Sequence, residues 1–133
     1  MRCLIDTNIL IDILDRGEEE LYIKIATKYP DIKISWVTLY EYLLGIALIN
    51  EDTAERKKEI EEIFEVIYPT QQDIIETINL ETELRKKGIK IPDRDLLIAG
   101  QARSRGLTII TKDEKHFKLL KQYNIKTHII KTP

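Results

Sequence analysis

Cysteine is almost missing from this chain of 133 residues: Cys3 is the only one, so no internal disulfide can form. Set in the apolar run "RCLI", it reads as a core thiol of a reduced, cytoplasmic protein. Histidine is equally scarce, with His116 and His128 too few and too scattered for a zinc site and read as structural. No apolar run reaches membrane length and no signal peptide is recognisable, so no membrane role is expected. Five glycines and four prolines, none clustered, leave no linker or low-complexity tract, so residues 1–133 are expected to form one domain. A domain of this length buries roughly two thirds of its unfolded surface and needs no staple. Net basic charge is missing too: the formal charge is -2 and the pI about 5.8, so no global field marks a nucleic-acid binder. Charged residues nevertheless make up 33%, which with abundant isoleucine leans toward a thermophile's composition.

What is present is an alternation. Short apolar, β-branched segments at 2–5, 32–35, 65–68, 107–110 and 126–130 are separated by helical patterns. That order predicts an α/β fold with a central parallel sheet covered by helices on both faces. Ile60, Ile63, Phe64 and Ile67 recur at the helical period, as do Ile74, Ile75 and Ile78, and both sets read as the inward faces of amphipathic scaffolding helices. Gly88 and Gly106 read as helix stops.

Four acids interrupt this pattern. Asp6 closes the first strand in "LIDTNIL"; taken alone it reads as the N-cap of the next helix. Glu41 is the only charge between Lys33 and Glu51, in a helix apolar nearly all round and so expected to be buried. Thr38 followed by Glu41 also fits a capping box, and Gly45 one turn below leaves space beside the carboxylate. In "IPDRDLLIAGQARSRG", stepping 100° per residue from Asp95 places Ile98, Ala99 and Ala102 within about 60° of it. Arg94, Gln101 and Arg105 fall roughly 100° away, on the polar side. Asp95 therefore points inward, whereas Asp93 beside Pro92 reads as a cap. Asp113 follows the fourth strand by two residues and has the same two readings, cap or site.

Capping does not account for the coincidence. All four acids stand just beyond a strand or early in a following helix, and in an open parallel sheet such places converge on the crevice at the strands' carboxyl ends. Two carboxylates about 4 Å apart repel by on the order of 4 kcal/mol at an effective dielectric near 20. A cluster of four therefore implies a divalent cation, and oxygen-only ligands favour Mg²⁺ or Mn²⁺. Thr7, Asn8 and Thr111 flank the acids as supporting polar groups. Arg94, Arg103, Lys112 and Lys115 are candidate contacts to a nucleic-acid backbone, with ordinary surface solvation as the alternative for each.

"LIDTNILID", "TLYEYLLG" and "DRDLLIAGQARSRGLTIITKDEKHF" together resemble the PIN-domain ribonucleases, in particular the VapC-type toxins of toxin–antitoxin pairs, over the whole chain. The resemblance implies a PIN-like fold, a Mg²⁺- or Mn²⁺-dependent endoribonuclease acting on an RNA substrate, a homodimer and a small inhibitory antitoxin partner. Residue by residue, the family's acids match Asp6, Glu41, Asp95 and Asp113. The chain departs at Gly100, where the family more often has alanine; looser packing is expected there. The expected chemistry is hydrolysis of a phosphodiester by water activated on a metal held by Asp6, Asp95 and Asp113, with Glu41 either a further metal ligand or the residue that orients the bound water, and with one or two metals compatible with the sequence. Two other classes share some of these features. A phosphoacceptor receiver domain also gathers aspartates, but Asp6 is followed by Thr-Asn rather than another acid. A non-catalytic PIN-like module and a housekeeping RNA-processing nuclease remain compatible with the same residues.

Overall fold

Strand β1 (Arg2–Ile5) runs through the middle of a five-stranded parallel sheet of order β3-β2-β1-β4-β5 in the computed structural model, which describes residues 1–131. Thr132 and Pro133, which complete the expected domain span of 1–133, lie outside the described residues. From β1 the chain passes through α1 (Thr7–Leu14) and α2 (Glu19–Lys28) to β2 (Asp31–Ser35). Helices α3 (Trp36–Leu48) and α4 (Thr53–Ile63) then lead to the edge strand β3 (Glu65–Ile67). The antiparallel-packed pair α5 (Gln71–Lys86) and α6 (Asp93–Arg105) carries it back across to β4 (Thr108–Thr111). Helix α7 (Glu114–Leu120) and a short 3-10 turn deliver β5 (Thr127–Ile129), the other edge. No helix among the described residues is long and apolar enough to cross a membrane.

Strand periodicity explains why both faces need covering. Leu4 and Ile109 point to a core built with α5, α6 and α7, while Cys3, Ile5, Ile34 and Ile110 point to one built with α1 to α4. Burial pushes the Cys3 thiol up to about 12, so it is an inert filler of the second core. Because β2 and β3 lie on one side of β1 and β4 and β5 on the other, the strand order reverses between β1 and β4. That reversal opens the crevice at the carboxyl ends where Asp6 and Thr111 emerge.

Several helix faces differ from expectation. Helix α3 is not buried all round: Tyr40, Leu44, Leu48 and Ile49 form an exposed apolar face. Its N-cap is Ser35, whose Oγ accepts from Val37 N at 3.2 Å, so Thr38 lies inside the helix and forms no capping box with Glu41. In α5 the inward positions are Asp73, Leu80 and Leu84, whereas Ile74, Ile75 and Ile78 are all more than half exposed. Ile63 is half exposed, and Ile67 belongs to β3 rather than to a helix. Gln101 is buried on the polar side of α6, donating to Ile67 O and Asp73, because α6 packs against α5 as well as the sheet.

Gly100 makes that second contact close, not loose. A Cβ placed there would stand 1.9 Å from Thr77 Oγ1 and 2.8 Å from the Thr77 backbone. Overpacking of this kind costs about 1–3 kcal/mol or more, so Gly100→Ala is expected to lower the melting temperature measurably, despite alanine's better helix propensity. An unchanged melt would mean that α5 and α6 separate freely. Gly106 ends α6 in the left-handed region at φ 66°, as the sequence suggested.

Candidate active site

Asp6 caps a helix and also faces the crevice. With β-region dihedrals it caps α1, its Oδ1 accepting from Thr7 N at 2.8 Å, yet its Oδ2 accepts from Thr111 Oγ1 at 2.8 Å across the β1/β4 crevice. Asn8 Nδ2 lies 3.3 Å from the same Oδ2 and 3.4 Å from Thr111 Oγ1, and Asn8 Oδ1 accepts from Lys112 N at 3.2 Å. Asn8 and Thr111 thus tie the ends of β1 and β4 together, while Thr7 bonds Asp6 and Glu41. Asp113 has the same double character: its Oδ1 caps α7 by accepting from His116 N at 3.2 Å, while its Oδ2 faces the crevice.

Asp95 is 1% exposed, one helical turn before Ile98 and Ala99, which are wholly buried, so α6 turns its first inward position toward the acids. Pro92, not Asp93, is the N-cap of α6, and the exposed Asp93 makes no capping bond. Asp93→Ala is therefore expected to change stability by no more than about 1 kcal/mol through the helix dipole alone, read by thermal melting. A larger loss would show that Asp93 does cap the helix. Glu41 reaches the crevice from the second turn of α3, with Oε1 accepting from Thr7 Oγ1 at 2.7 Å.

Sequence reasoning placed Arg94 outside this group, on the polar side of α6. The structure brings its guanidinium back across the helix start into the acids: Nη2 lies 2.8 Å from Asp6 Oδ1 and Nε 2.5 Å from Glu41 Oε2, and Nη1 bonds Asp95 Oδ1. Burial opposes the guanidinium's charge, but the hydrogen bond to Glu41 and the attraction of Asp6 outweigh it and raise its pKa further. The opposite end of the cluster contains a residue the sequence reading set aside. His116 Nδ1 is 3.0 Å from Asp95 Oδ2 and 2.8 Å from Asp113 Oδ2. The signal was available in "DEKH": a histidine three residues after an N-cap aspartate shares its helix face.

Asp95 thus joins two lobes, one closed by Arg94 with Asp6 and Glu41, the other open between Asp113 and His116. Burial raises the Asp95 pKa, Arg94 opposes that shift, and Asp6 adds to it. A raised carboxyl pKa means its charge costs stability at neutral pH, a cost relieved as pH falls through the folded value. In the open lobe, Asp95, Asp113 and His116 offer three ligand atoms within 4.8 Å of one another, a donor set that fits a divalent ion. Glu41, Arg94, Asp113 and His116 have side chains 25–32% exposed, so the crevice opens to solvent on one side.

Of the other candidate backbone contacts, Arg103 is held by Glu76 at 2.6 Å and Glu83 at 2.7 Å between α5 and the turn after α7. Lys112 is held 2.5 Å from the buried Asp12, which also faces Arg16 at 3.4 Å. Lys115 is exposed on α7.

Comparison with known proteins gives the family. The PIN domain matches residues 3–122. Ribonuclease VapC1 of Methanocaldococcus jannaschii is 31% identical over 128 residues, covering 96% of this chain and 87% of that protein. The tRNA(fMet)-specific endonuclease VapC of Salmonella typhimurium is 29% identical over 89% of this chain and 91% of its own. Among solved structures, VapBC2 from Rickettsia felis bound to a promoter DNA fragment superposes with a TM-score of 0.84 at 26% identity, covering 98% of this chain and 99% of that one.

Proposed function

The chain belongs to the PIN-domain family and, within it, to the VapC ribonucleases, and on that premise we propose a divalent-cation-dependent endoribonuclease that is the toxin of a toxin–antitoxin pair. The observation that carries the metal-dependent reading is Asp95: a carboxylate 1% exposed, with one oxygen on Arg94 and the other facing Asp113 and His116. Packing alone gives no reason to bury that charge.

Asp95, Asp113 and His116 would hold the ion, with Asp6 beside them. When bound, the ion supplies Lewis-acid charge at the scissile phosphate and lowers the pKa of water. Thr111 keeps the two strand ends in register, its hydroxyl donating to Asp6 and accepting from Asp113 N at 3.0 Å. Glu41, fixed by Thr7 and Arg94 yet nearly one third exposed, is placed to orient the attacking water. Arg94 offsets part of the negative charge of Asp6, Glu41 and Asp95 at the mouth of the crevice. The imidazole nitrogen among the carboxylates favours Mn²⁺ over Mg²⁺.

Incubating the protein with single-stranded and structured RNA should give internal cuts with Mg²⁺, faster cuts with Mn²⁺ and none in EDTA. Cleavage insensitive to EDTA would overturn the metal reading, and no cleavage under any condition would overturn the nuclease reading. Mn²⁺ at about 100 times its dissociation constant should also stabilise folding by about 2.7 kcal/mol.

The exposed apolar face of α3 supports the partner reading. Tyr40, Leu44 and Leu48 recur every four residues on one side of the helix and suit a second copy of the chain or the apolar face of a small antitoxin. A homodimer is expected in sedimentation, converting to monomer with Leu44→Glu. A monomer at every concentration would leave this face to the antitoxin alone.

A further inference from the structure

The acidic whole-chain balance hides a basic segment. Between residues 112 and 131 stand six lysines and only two acids, although the formal charge of the entire chain is -2. The fold gathers part of this excess into one groove of about 470 Å³ along the β5 edge. Lys28 enters it from the end of α2, Lys118 from α7, Lys121 from the turn that follows, and Lys131 from beyond β5. Among the described residues Glu114 is the one acid lining it, 3.8 Å from Lys118. Lys28, Lys121 and Lys131 are exposed, and none makes an ion pair among the described residues.

His128, on the groove floor, reports this field. Its pKa lies below the ordinary value, first through burial and then through Lys28, Lys24 and Lys121. Its Nδ1 and the neighbouring Thr127 Oγ1 are buried without a hydrogen-bond partner among the described residues. The groove also lies on an edge, since β5 pairs only with β4. Four cations facing one acid repel one another, and a flexible polyanion offsets that repulsion while releasing its own counterions.

Continuity with the acid cluster identifies the polyanion. Helix α7 starts at its cap Asp113, and Thr111, at the end of β4, pairs with Ile129 of β5. From Asp113 to Lys121 the helix advances about 12 Å, a span on the order of three phosphates. We propose that the α7–β5–α2 groove is the path of the single-stranded RNA flanking the cleaved bond, its lysines holding successive phosphates to one side of the acid cluster. This rests on the endoribonuclease reading, and it assigns RNA binding to residues other than the candidates drawn from sequence, three of which are engaged in ion pairs.

The test is RNA binding by fluorescence anisotropy in EDTA, where nothing is cut. For a single-stranded RNA of about 20 nucleotides, the variant Lys28→Ala/Lys118→Ala/Lys121→Ala is expected to bind about tenfold or more weakly, with the slope of log affinity against log salt shallower by about two. The corresponding triple arginine variant should restore both, and the melting temperature of the alanine variant should not fall, because all three side chains are exposed. With Mn²⁺ added, KM should rise for the long RNA and remain unchanged for a tetranucleotide that spans only the cleavage site. Wild-type affinity and slope in the alanine variant would overturn the proposal. Should the wild-type protein cut neither RNA, the nuclease reading falls, while the anisotropy arm still decides whether the groove binds RNA.

Discussion

Asp95→Asn is expected to lower RNA cleavage by on the order of a thousandfold while raising the melting temperature in EDTA. Both effects come from one carboxylate. Its outer oxygen faces Asp113 and His116, so the amide removes a negative ligand from the lobe that suits a divalent ion. Its burial already makes the charge unfavourable, as the upward shift of its pKa records, so a neutral group of the same shape relieves a cost that the wild type carries at neutral pH. Mn²⁺ should then stabilise the variant much less than the wild type. A variant that loses activity and also melts lower in EDTA would make Asp95 a structural residue held by Arg94. The same substitution at Asp6 should not stabilise, because Asp6 accepts from Thr7 N, Thr111 and Arg94 at 2.8 Å each, and an amide forfeits the charge-assisted bond.

The second large effect is expected at Arg94. Its guanidinium uses the oxygens of Asp6, Glu41 and Asp95 that a second divalent ion would need, so one chain should bind a single Mn²⁺ with Arg94 in place. Arg94→Gln leaves Asp6 and Glu41 without their counter-charge. Breaking such a pair costs about 3–5 kcal/mol when fully buried, and with the Arg94 side chain 32% exposed the metal-free protein should lose on the order of 2 kcal/mol. The variant should also take up a second Mn²⁺ per chain. Unchanged stability and a stoichiometry of one would show that Arg94 is a surface contact of no electrostatic consequence to the cluster.

The sheet was legible because its strands leave short β-branched runs, and all five were found to within a residue or two, although Ile67 of β3 also fitted the helical period of the residues before it. Asp95 was legible for a geometric reason: a helix with small residues at one angular position has little choice about which side meets the sheet. For Asp6 and Asp113 the cap position and the crevice position are compatible, since each carboxylate spends one oxygen on the helix and turns the other to the crevice. What stayed hidden depended on partners rather than pattern. Ile74, Ile75 and Ile78 have the period of a core face, yet that period says only that something apolar covers them, not that it comes from the same chain. Gly100 looked like a loss of volume because Thr77, which occupies the space, is 23 residues away in sequence. Arg94 was assigned by the angle of its Cα, but its long side chain carries the charge back across the helix start to acids on two other elements. His116 was dismissed as a lone histidine, although the cap three residues before it aims both groups into one lobe.

The central claim, that the Asp95 lobe holds a divalent cation, is tested most directly by titration calorimetry of Mn²⁺ into the wild-type protein and Asp95→Asn. Saturable binding near one ion per chain in the wild type, weakened about tenfold or more in the variant, is the result predicted here. Equal affinity in the two proteins, or no saturable binding by the wild type at millimolar Mn²⁺, would contradict it.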